Sequence, residues 1–77
     1  MITSVQLRMA RAALQWGVRE LAEKAELNPN TVTRIENGRA ALSETLMILR
    51  RVLEDEGVEF IGTDGVRFRH STDTTTT

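Results

Sequence analysis

Leu7, Ala10 and Leu14 recur at three- and four-residue intervals, the spacing of one helix face. Thr3 and Gln6 stand three residues apart just before this stripe, so Thr3 can cap the amide of Gln6 while Gln6 reaches back to the amide of Thr3, and Ile2 can pack on Leu7 as a staple. A first helix therefore starts at about Ser4. Arg11 falls in the middle of its apolar face and, if buried, needs a partner. Gly17 either ends this helix or caps the next, and "VRELAEKA" gives a second helix, 18–25, with Leu21, Ala22 and Ala25 inward. Asn28 before Pro29 is the strongest local signal in the chain, because Asn is a favoured N-cap and Pro suits the first helical position. A third helix begins at Pro29, has Thr31 at its third position, turns Val32 and Ile35 inward, and stops at Asn37-Gly38.

Only Glu26-Leu27-Asn28 separates the second and third helices, and two helices so short and so tightly joined cross at a steep angle, as in a helix-turn-helix. Ser43 is expected to cap a fourth helix with Glu44 in its first turn and Leu46, Leu49, Val52 and Leu53 as its apolar stripe, before Gly57 ends it. The period then changes from helical to alternating. Val58 and Phe60 face one way against Glu59 and Ile61; Val66, Phe68 and His70 face one way against Arg67 and Arg69. This predicts a β-hairpin over 58–70 with Thr63-Asp64-Gly65 as a three-residue loop, Gly65 left-handed, Phe60 opposite Phe68 and Glu59 opposite Arg69. The tail "STDTTTT", 71–77, has no apolar residue and is expected to be disordered.

The 77 residues make one small domain, and a chain of this size buries only ~60% of its unfolded surface, which argues against a deep catalytic cleft. There is no cysteine and a single histidine, so a zinc site or a histidine-based triad has no ligands to draw on. The sequence predicts no enzyme activity, no metal and no cofactor. The amino terminus mixes arginine with apolar residues too early for a signal peptide, and no apolar run approaches the ~20 residues of a membrane span; a cytoplasmic protein is expected.

A net charge of -1 argues against nucleic acid until its distribution is read. Positions 1–42 carry six basic against four acidic side chains, whereas 43–77 carry four basic against seven acidic, with the cluster "EDEGVE" at 54–59. The polarised chain suits phosphate binding at one end only.

The segment 18–38 resembles the helix-turn-helix of the Cro/C1-type (XRE) family of bacterial and phage regulators. The residues that carry the resemblance are Leu21 and Ala22, the bend before Leu27, Val32 and Ile35, and "RIENG" at 34–38. It extends over about the first fifty-six residues, and the "GVEFI…GVRFR" tail is similar to a hairpin that follows this domain in some small members. The resemblance implies a four-helix, lambda-repressor-like DNA-binding domain over 1–57, with the helix-turn-helix at 18–37, followed by the hairpin.

Ala22 is small where two helices cross, and Val32 and Ile35 anchor the third helix so that its opposite face projects outward. That face carries Pro29, Asn30, Thr33 and Arg34, residue types that read bases: Asn pairs with adenine, Arg with guanine, and Pro or Thr meets a thymine methyl. For Arg34 the competing reading is a solvated helix arginine or an ion pair with Glu23 or Glu26. By matching position, the resemblance implies phosphate contacts from Arg19, Asn37, Arg39, the amides near 37–40 and Ser43, and a structural pair between Arg11 and Glu36. Two positions depart from the family pattern. Val18 stands where a glutamine often contacts phosphate, and Glu26 stands where glycine is common; either Glu26 accepts a left-handed backbone or the turn has another shape.

A two-stranded sheet is marginal alone, so the hairpin either packs on its own helices through Phe60 and Phe68 or pairs with a second chain. A homodimer is expected, with Val58, Phe60, Val66 and Phe68 as its dimerisation residues. The reading is a sequence-specific transcriptional regulator, a repressor binding a palindromic operator as a dimer with the third helix in the major groove of double-stranded DNA. The rival reading is an antitoxin-like adaptor that neutralises a protein partner and autoregulates; a weaker one is an activator that touches RNA polymerase.

Overall fold

The computed structural model describes residues 2–68. The expected strand positions Arg69 and His70 and the expected disorder of 71–77 lie outside them. Within them run α1 (Ser4–Ala13), α2 (Val18–Ala25), α3 (Pro29–Glu36), α4 (Ser43–Asp55), β1 (Val58–Ile61) and β2 (Gly65–Phe68). The fold is mainly helical, four helices followed by a two-stranded antiparallel hairpin.

Local chemistry sets most helix ends. The capping box forms at α1, with Gln6 N–H donating to Thr3 Oγ1 at 3.2 Å and Thr3 N–H donating to Gln6 Oε1 at 3.1 Å. Gly17 caps α2, and Asn28 caps α3 by accepting from the Asn30 amide at 2.8 Å, with Pro29 at the first position. Three helices end alike, on a left-handed residue that lets the amide after it reach back across the last turn. Gln15 (φ 60°), Glu26 (φ 58°) and Gly38 (φ 86°) take that conformation, and Trp16 N–H donates to Arg11 O (3.0 Å), Leu27 N–H to Ala22 O (2.8 Å) and Arg39 N–H to Arg34 O (2.9 Å). Glu26 therefore accepts the left-handed backbone that the departure from glycine put in question. Nothing in the pattern around Gln15 announced the same strain.

Ser43 does not cap α4. The cap position is Leu42, extended at φ -66° and ψ 143° with no side-chain bond to the helix, and Ser43 is the first helical residue. The carbonyl of Leu42 already accepts the first helical bond, from Leu46 N–H at 3.1 Å, so the hydroxyl sits one residue too late to serve the first-turn amides.

Leu7, Leu21, Val32, Leu49, Leu53 and Val58 form the centre of the core with no more than 1% of their surface exposed, each contributing about 1.5–3 kcal/mol by burial. α2 packs on α3, α1 on α3 and β2, and α4 on α2 and β1. The hairpin thus lies on its own helices: Val58 is buried, and Phe60, Val66 and Phe68 pack against the core. Side chains expected at a dimer interface are directed to the chain's own interior, because a sheet with only two strands gains most by covering α1 and α4.

The hairpin register differs from the expected one by two residues. Val58 pairs with Phe68, Glu59 with Arg67, Phe60 with Val66 and Ile61 with Gly65, so the loop is Gly62–Thr63–Asp64. Gly62 takes the left-handed position (φ 59°), not Gly65. Gly65 instead sits in close pairing, where a Cβ would come within 3.2 Å of the Ile61 carbonyl oxygen. A slip of two leaves every side chain on its predicted face. Helix α1 selects this register: the buried Gln6 amide donates from Nε2 to the carbonyls of Gly62 (3.0 Å), Gly65 (3.0 Å) and Ile61 (3.3 Å), and Thr3 Oγ1–H donates to Thr63 O at 2.6 Å.

Candidate nucleic-acid interface

Val32, Ile35 and Glu36 turn the inner face of α3 toward the core, with Val32 fully buried. At 3.6 residues per turn, Asn30, Arg34 and Asn37 then lie opposite, with Pro29 and Thr33 on the flank. All five are exposed. Ala22, 1% exposed, is the small contact that lets α2 come close, and Leu21 and Ala25 anchor α2 beside it. A shallow groove between the two helices runs from Val18 and Arg19 to Asn30 and Thr33.

Among the described residues the polar side chains on this face have no partner within the chain. Among the described residues, Arg34 pairs with neither Glu23 nor Glu26, and Arg19 and Arg39 have no carboxylate partner. Asn30 contributes its backbone amide to the cap while its side chain stays free of protein partners among the described residues. Lys24 is different, since its ammonium stands 5.4 Å from the centre of the Trp16 ring. Val18 sits at the start of α2 with no side-chain donor to offer.

One ion pair fixes the pose of α3 against α1. Arg11 Nε donates to Glu36 Oε2 at 2.6 Å and its Nη2 donates to Oε1 at 2.9 Å, while Nη1 donates to the Trp16 carbonyl at 3.0 Å. Arg8 adds a bond to the Glu36 carbonyl at 3.2 Å. The two parallel bonds match the guanidinium fork to the carboxylate, which orients as well as binds. The Glu36 hydrogen bond pushes the Arg11 pKa up, against the opposing effect of burial and with help from the carboxylate's charge.

The junction between α3 and α4 corrects the expected phosphate role of the amides at 37–39, while none of the bonds that close α3 uses the Ala40 amide. The amides of Asn37, Gly38 and Arg39 donate to Thr33, Ile35 and Arg34 carbonyls respectively in closing α3, so they have no free hydrogen for a phosphate. The amides that open α4 after Leu42 have no side-chain cap. Arg39, Asn37 and Ser43 are exposed around them. Among the described residues no group of three or more histidine and carboxylate side chains is placed to hold a metal, and no helix is long and apolar enough to cross a membrane.

The helix-turn-helix domain family's profile matches residues 4–54 of the chain, from the first residue of α1 to near the end of α4. No curated protein matches it.

Proposed function

The chain belongs to the helix-turn-helix domain family, a fold of DNA-binding regulators, and on that premise we propose that it is a sequence-specific transcriptional repressor of the Cro/C1 (XRE) type. It acts as a cytoplasmic homodimer on a palindromic operator. The observation that carries the reading is the outer face of α3, where Asn30, Thr33 and Arg34 are exposed with no side-chain partners among the described residues on a helix locked from behind by Val32, Ile35 and the Arg11–Glu36 pair. Base-reading groups on a rigid helix are what major-groove recognition requires.

In this reading Pro29, Asn30, Thr33 and Arg34 contact bases. Arg19, Asn37, Arg39 and Ser43 contact phosphates, joined at α4 by its uncapped first-turn amides, whose partial positive charge favours an anion. Val18 adds no phosphate bond, so the α2 end of the groove relies on Arg19. A dimer places two α3 helices about one DNA turn apart and supplies the affinity that one small module lacks.

The test is selection of bound duplexes from a random library, repeated with Asn30→Ala and Arg34→Ala. Wild type should enrich a near-palindrome, and each variant should lose about 1–3 kcal/mol and relax particular positions. If no site is enriched at low salt, the reading is wrong.

A further inference from the structure

The outward face of α4 carries Glu44, Met47, Ile48, Arg51 and Asp55 at helical spacing, all exposed, with half-buried Val52 at its edge against the core. Met47 and Ile48 leave 59% and 39% of their surfaces in solvent, opposite the buried Leu49 and Leu53. Two apolar side chains in the middle of a face that points away from the core do nothing for the monomer. We propose that this face is the dimer interface, occupied by α4 of a second copy in antiparallel orientation; the inference rests on the dimeric reading above and deepens it by naming the surface.

Charge complementarity identifies the occupant. Glu44 and Arg51 flank the apolar pair symmetrically, about 10.5 Å apart along the axis. A two-fold axis through the midpoint of Met47 and Ile48 sets Met47 of each copy level with Ile48 of the other. The same axis sets Glu44 of each copy level with Arg51 of the other, so one helix face supplies two ion pairs to its own image. Neither charge has an ion-pair partner among the described residues. The next arginine differs: Arg50 bonds Glu54 at 2.9 Å and stands 5.7 Å from the Phe60 ring. On the hairpin Val58 is buried and Phe60, Val66 and Phe68 cover the chain's own core, which leaves Ile61, 48% exposed, as a single large apolar side chain in solvent among its described residues. Two faces this short make a small interface of the transient class, so association is weak in free solution and is reinforced when both copies occupy one operator.

The experiment is sedimentation equilibrium of the full chain and of Glu44→Arg, Arg51→Glu and the double exchange. Each single exchange turns two attractive contacts into two repulsive ones and should weaken self-association at least tenfold, while the double exchange should return to within about threefold of wild type. Mixing the two single variants should give a heterodimer, because the copy carrying Glu44→Arg then presents only cations at these positions and the copy carrying Arg51→Glu only carboxylates. Both positions are exposed on a formed helix, and melting curves matched to wild type verify that the variants fold. A wild-type chain still monomeric at about 1 mM, or single variants that associate as wild type does, overturns the interface. Site selection separates the two claims: an enriched palindrome with no charge-exchange effect removes the α4 interface alone, and the exchange pattern with no enriched site removes the DNA reading alone.

Discussion

Gln6 is the residue on which the hairpin's position turns, and its replacement gives a sharp test. The side chain is fully buried, accepts from the Thr3 amide, and shares two N–H hydrogens among the carbonyls of Ile61, Gly62 and Gly65. Gln6→Leu removes one acceptor and two donors. At about 1 kcal/mol net for each bond, offset by about 1 kcal/mol of added apolar burial, the loss is about 2 kcal/mol, and it rises toward 3 if the orphaned carbonyls stay dry. For a chain of this size that range corresponds to a melting temperature lower by about 8–24 °C. Gln6→Glu isolates the donors, because it keeps the shape and the bond from Thr3 while setting a carboxylate against three carbonyl oxygens. Burial and those dipoles raise the carboxyl's folded-state pKa above its unfolded value. The variant's deficit relative to wild type is therefore smallest below the ordinary glutamate range and grows as pH rises through the raised folded-state pKa. Urea titrations of wild type and both variants at mildly acidic and mildly alkaline pH measure this. A Gln6→Leu change under about 0.5 kcal/mol, or a Gln6→Glu deficit that ignores pH, refutes the claim that α1 holds the turn by these bonds.

Other predictions follow from the ion pair, the strained turns and the free arginines. Glu36→Ala leaves the Arg11 guanidinium, 21% exposed, without its carboxylate, and should cost about 3 kcal/mol in urea unfolding; Arg11→Met with Glu36→Leu should recover most of it. Glu26→Gly and Gln15→Gly each relieve a left-handed non-glycine residue, and each should raise stability by about 0.5–1 kcal/mol after the unfolded chain's added freedom is counted, whereas Gly38→Ala should lower it. Arg39→Ala should weaken binding to every sequence alike and reduce the slope of log K against log salt by about 1, while Arg34→Ala should alter base preference, as read by binding titrations over a salt series.

How far the sequence reveals this molecule depends on how far away the cause of each feature lies. The α1 start, the α3 start and the α3 stop are each decided by residues within four positions, Thr3 with Gln6, Asn28 with Pro29, and Asn37 with Gly38, and all are legible in the chain. Ser43 misleads because a favourable cap residue stands one position inside a helix whose start is set by the backbone at Leu42. The hairpin register is illegible for a different reason: the glycines at 62 and 65 both suit a turn, and the choice between them is made by Gln6, more than fifty residues away. Local reading assigned Gln6 to its cap, and the same amide group has a free end that only the folded topology uses. Arg11 lies between these cases. Its place in an apolar stripe announces that an anion must come to it, but only packing of α1 on α3 delivers Glu36. The proposed DNA-facing surface is legible in a negative sense, as the part of α3 left over once Val32 and Ile35 have been assigned inward. That remainder decides which side chains the proposed interface can offer to bases, and in the proposed dimer the spacing of two such helices would be set by the α4 face.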